Sequence, residues 1–93
     1  MNTLNFNAEA ALYLGSNPVS ARREGARRFP TAAKAIRFAM EEAAPVSLRG
    51  ARMVVGNHSY GPGDVKRFYN ADGYPLMRKS VRQSLLEEDY EMA

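Results

Sequence analysis

The chain has no cysteine, no tryptophan and a single histidine, His58. The missing cysteine excludes disulfides, thiolate metal sites and cysteine nucleophiles. One histidine among scattered carboxylates gives no zinc-ligand spacing, and no calcium loop is present. His58 lies beside an expected hairpin turn, and no serine is framed as a nucleophile elbow. The expectation is a non-enzymatic protein without metal or cofactor. Glycines cluster at Gly61-Pro62-Gly63, but no Lys-Ser/Thr ending follows them, and Asp64 at the start of the next helix repels phosphate. They are turn punctuation, and no small-molecule ligand is expected. No apolar run approaches the roughly 18 residues that a membrane span requires. The first residues lack the basic start and apolar stretch of a secretory signal, which points to a cytoplasmic protein.

What is present is an ordinary globular composition. The 93 residues are 45% hydrophobic and 25% charged, which suits one small domain. A chain of this size without disulfides or metal draws its stability from packing or from oligomerisation. The formal net charge of +3 conceals an asymmetry. All thirteen Lys and Arg lie between positions 22 and 82, where only five acids join them, a net +8. Residues 87–93 carry four acids and no base. The body is basic and the tail is acidic.

The most legible element spans residues 29–44. Thr31 is a suitable helix N-cap, Pro30 sharpens the start, and Pro45 ends the helix. At about 100° per residue, Ala32, Ala33, Ile36, Ala39, Met40 and Ala43 form one apolar stripe, and Lys34, Arg37, Glu41 and Glu42 fall on the rest. Arg37 and Glu41 are spaced as an i,i+4 pair. Phe38 falls among the charges. It is either covered by another part of the chain or waiting for a partner.

Around this helix the pattern predicts four strands. Residues 9–14 form the first, with Leu12 and Leu14 on one face and Tyr13 on the other. Residues 15–18 read as a turn. Residues 20–29 read as a basic loop ending in a short strand at 26–29, with Gly25 barring a helix. Residues 46–50 read as a loop that buries Val46 and Leu48. Residues 51–56 form the third strand, with Met53 and Val55 on one face and Arg52 and Val54 on the other. A Gly56-Asn57 turn leads to a return strand at 58–60. Asp64 is expected to cap a helix over 65–70, buried through Val65, Phe68 and Tyr69, with Gly73 as a left-handed cap beyond it. Residues 76–90 have helical spacing, with bases first and acids last, the reverse of what the helix dipole favours.

The expected architecture is therefore α+β. A small, mostly antiparallel sheet, in the order β-β-α-β-β-α, packs on one main helix, and a C-terminal helix or tail follows. Residues 1–7 form a frayed terminus, 8–75 the domain and 76–93 the C-terminal helix with its acidic tail. The runs at 27–42, 63–69 and 74–76 resemble a group of short, uncharacterised bacterial proteins. That resemblance implies the same α+β layout and carries no activity with it.

Two binding roles follow. The first is protein–protein contact, most simply as a homodimer. It rests on Phe38, on a sheet face carrying Tyr13 and Val54 that nothing in the sequence obviously covers, on the small core, and on the poorly stabilised final helix. The alternative is sequence-nonspecific nucleic-acid binding through Arg22, Arg23, Arg27, Arg28, Arg49 and Arg52, with Tyr13 and Phe38 available for stacking. A small hydrolase built on His58 is the third reading.

Overall fold

A computed structural model describes residues 4–78. Four strands form one antiparallel sheet in the order β2-β1-β3-β4: β1 is Ala10–Tyr13, β2 Ala26–Phe29, β3 Arg52–Val55 and β4 His58–Tyr60. Helix α1 (Pro18–Glu24) joins β1 to β2. Helix α2 (Ala32–Arg37) follows β2 and continues as a π-helical turn, Phe38–Glu42. A 3-10 turn, Pro45–Leu48, leads into β3, and helix α3 (Pro62–Tyr69) follows β4. The chain is thus the expected α+β fold.

Strand alternation divides the sheet into two faces. Leu12 lies opposite Met53 on one side and Arg27 on the other, and Ala10 lies opposite Phe29. This face receives α2. Leu12, Met53, Ile36 and Val65 are fully buried, together with Ala32, Ala35 and Ala39. Alanines along the helix let its backbone approach the strands closely, and the larger side chains fill the gaps that remain. Thr31 caps α2 as expected, its Oγ1 accepting from the Lys34 N–H at 3.2 Å. The hairpin also follows the sequence: Val55 pairs with His58, and Gly56 takes φ 59°, a conformation that glycine adopts without a Cβ penalty.

Several expectations fail for identifiable reasons. Residues 18–24 form a helix. Asn17 is its N-cap, with Oδ1 accepting from the Ser20 N–H at 2.9 Å, and Pro18 occupies the first turn. An Asn-Pro pair reads as a turn, but it is equally a helix start, because proline needs no N–H there. Gly25 does stop the helix, one residue after it rather than before it. Residues 4–7 are not frayed: Leu4 is buried, and Phe6 packs edge-on against Phe68 and Tyr74. The Phe6 and Ala8 carbonyls accept from the Ala33 and Ala32 N–H groups. The first turn of α2 thereby satisfies donors that have no partner within the helix.

Asp64 is not the cap of α3. Gly61 is, and Asp64 sits three residues in, its Oδ2 accepting from the Gly61 N–H at 3.2 Å. Pro62 supplies the first helical position in its place. Gly73 is not left-handed, and α3 ends through Asn70. Val46 is exposed on the 3-10 turn, whereas Leu48 packs against the core. Leu76, Met77 and Arg78 are not helical. Arg78 instead bridges the Tyr69 and Ala71 carbonyls at 2.8 and 2.7 Å, closing the end of α3. The remainder of the expected final helix lies outside the described residues. Among the described residues no helix is long and apolar enough to cross a membrane.

Candidate functional site

The second sheet face carries the site. Pairing places Tyr13 beside Ala26 and Arg52, Ala11 beside Arg28 and Val54, and Val54 beside Ser59. Side chains directly opposite one another share a face, so Tyr13, Val54, Arg28 and Arg52 project on the side away from α2. Tyr13 and Val54 are half-buried and both arginines are exposed. Helix α1 lies at one end of this face and adds Arg22.

Two hollows adjoin at Tyr13 and Val54. One, of about 490 Å³, is bounded by Arg28, Ala11, Pro30 and Glu9. The other, of about 300 Å³, is bounded by Arg22, Arg52, Pro18 and Ala21. The aromatic ring therefore separates two shallow basins, each with arginine at its wall.

These arginines are set apart by the face they share and not by pairing, since Arg23, Arg27 and Arg49 likewise form no ion pair among the described residues. Among the described residues, Arg22, Arg28 and Arg52 form no ion pair, and an aspartate–arginine pair is found on α3 between Asp64 and Arg67. Arg52 Nη1 donates to Ser59 Oγ at 2.6 Å, which steadies the exposed guanidinium across the β3–β4 pair. Glu9 is the one acid lining either basin.

The other sequence-nominated residues lie elsewhere. Arg27 is on the α2 side of the sheet, its guanidinium 5.0 Å from the Phe38 ring centroid. Phe38 also meets Phe29, with centroids 5.5 Å apart. Phe38 is therefore covered within the chain, between β2 and the helix, by an aromatic and a cation. Arg27 and Phe38 border a larger hollow of about 810 Å³. Glu24 and Glu42 line it too, so its walls carry both signs. Arg49 lies near Met40, Pro62 and Lys66, on the helical side. Arg23 projects from α1 beside Val19. Of six nominated arginines, three converge.

His58 is exposed, 6.4 Å from the Tyr60 ring. Among the described residues no group of three or more His, Asp or Glu is placed to hold a metal ion. Sequence reasoning placed Tyr13, Val54 and Arg52 on one face from alternation alone. It did not distinguish Arg28 from Arg27, because that requires the β1–β2 register. It nominated Arg22 but not the helix α1 that carries it to the wall of the second basin. Comparison with family models, with curated proteins and with solved structures gives no match.

Proposed function

We propose that the chain is a binding protein whose working surface is this sheet face, and that the surface takes nucleic acid through phosphate contacts. One observation carries the reading: Arg22, Arg28 and Arg52 converge around Tyr13, and among the described residues no carboxylate is paired to them. Three unneutralised guanidiniums on a shallow surface favour a ligand that brings a row of negative charges. Phosphate backbone provides that, and its counterion release supplies the affinity.

Self-association is the second reading, favoured by Tyr13 and Val54 on the same face. A two-fold contact between two such faces would bring the arginines of one copy towards those of the other. Like charges facing each other in an interface oppose association. Phe38, the residue that first suggested a partner, is already covered by Phe29 and Arg27. These points support a polyanion over a second copy.

The test is equilibrium binding of a labelled oligonucleotide at two salt concentrations. Affinity is expected to fall as salt rises, with a log–log slope near −2 for about three phosphates. The double substitution Arg28→Ala with Arg52→Ala is expected to weaken binding at least tenfold at low salt and to flatten that slope. No binding at low salt, or a slope indifferent to both arginines, contradicts the proposal.

A further inference from the structure

The geometry points to a single strand as the occupant of this face, with one unpaired base stacked on Tyr13; the inference rests on the nucleic-acid reading above. Tyr13 is at the centre of the arrangement. It occupies the inner strand β1, directly opposite Arg52 on β3 and diagonal to Arg28 on β2. Diagonal neighbours on a sheet face lie about 7–8 Å apart at Cα and direct neighbours about 5 Å. A base on the ring would thus have a guanidinium within side-chain reach on each side along the sheet. The backbone entering and leaving that base can place one phosphate at Arg28 and the next at Arg52 and Arg22.

A duplex fits this surface poorly. Reading a duplex groove takes a protruding helix or ribbon, whereas here the surface is a short sheet with basins on either side of one ring. In a duplex the base faces are already stacked on one another, so Tyr13 would contribute nothing beyond its outline. An unpaired base can be splayed onto the ring, as single-strand surfaces generally use aromatic side chains with a basic track. No Asn or Gln lines either basin, and the Ser59 hydroxyl already holds Arg52. The face therefore has little to read base edges with, and binding tolerates sequence.

The test compares a thymidine 12-mer, a uridine 12-mer and a duplex of the same length, each against the wild-type chain, Tyr13→Phe, Tyr13→Leu and the Arg28→Ala/Arg52→Ala variant. Either single strand is expected to bind more tightly than the duplex, and the 2′-hydroxyl decides which of the two binds better. Loss of the ring in Tyr13→Leu is expected to weaken single-strand binding about 5- to 100-fold. It should leave duplex binding and the salt slope unchanged, while Tyr13→Phe retains wild-type affinity. A folding defect would lower all ligands together and would appear in thermal melts, and Tyr13→Phe guards against misreading it. Equal or tighter duplex binding, or single-strand affinity unmoved in Tyr13→Leu, overturns the inference. If arginine removal still weakens binding in that case, the phosphate-binding reading stands alone. If no oligonucleotide binds, both readings fall.

Discussion

At the scale of residues, Tyr74 shows how burial couples to ionisation. Its hydroxyl donates to the Ala33 carbonyl at 2.8 Å, and its ring is buried against Phe6 and Tyr69. Burial pushes its pKa from the ordinary 10 up to about 12. The folded state therefore holds this proton more tightly than the unfolded chain does. The stabilisation is complete below pH 10 and is lost as pH climbs towards 12. Tyr74→Phe is expected to cost about 1 kcal/mol at neutral pH through the missing hydrogen bond. Chemical denaturation between pH 9 and 12 should show its stability falling less steeply than that of the wild type. Parallel curves would refute the assignment. Phe38 teaches a related lesson. At 100° per residue, Ala35 and Phe38 extend the buried arc of α2 beyond the Ala39 edge of the stripe, towards β2. A helical wheel has no knowledge of a strand on that side, so the residue looked unpartnered.

At the scale of elements, local signals located the four strands and the Thr31 cap, misplaced both ends of α3, and failed where one residue pair serves two purposes. Asn17-Pro18 is the instance: as a turn it ends β1, and as a cap it begins α1. Its consequence is structural as well as functional, because α1 closes over the Gly50 backbone. A Cβ at Gly50 would lie 2.1 Å from the Asn17 carbonyl carbon, and Gly50 N–H donates to the Gly15 carbonyl at 2.8 Å. Backbone, not a flexible side chain, occupies that space. Gly50→Ala is thus expected to destabilise the fold by about 1–3 kcal/mol. Because α1 carries Arg22, the same substitution should also weaken oligonucleotide binding. Each kcal/mol lowers the melting temperature of a domain this small by about 4–8 °C, so a value within about 1 °C of the wild type would show that α1 does not pack here as described. The π-helical turn after α2 lies beyond sequence reading altogether. The Ala43 N–H reaches the Phe38 carbonyl at 2.9 Å, and nothing in the spacing of residues 38–43 distinguishes that from a regular helical ending.

At the scale of the whole molecule, the two-layer fold with one helix-covered sheet face was legible because the alanine stripe and the strand alternation agree. The site was legible only in part. Alternation put Tyr13, Val54 and Arg52 together, whereas the convergence of Arg22 and Arg28 depends on long-range pairing that no local pattern carries. Charge is also organised at this scale. The arginines of the sheet face belong to the same chain as the four acids of residues 87–93. Unlike charges on one chain compete with a polyanion at low ionic strength. Removing residues 87–93 is expected to raise oligonucleotide affinity severalfold at low salt and to change it little at high salt. An unchanged affinity at both would show that the tail does not screen the surface.

The most direct measurement is amide and side-chain chemical-shift mapping by NMR with a short single strand added to the full chain. Shifts concentrated at Ala11, Tyr13, Arg22, Arg28, Arg52 and Val54 are expected, with α2, α3 and the Phe38–Arg27 contact little changed. Shifts centred on the helical layer, or spread without pattern over the basic surface, would contradict the assignment of the open sheet face as the binding site.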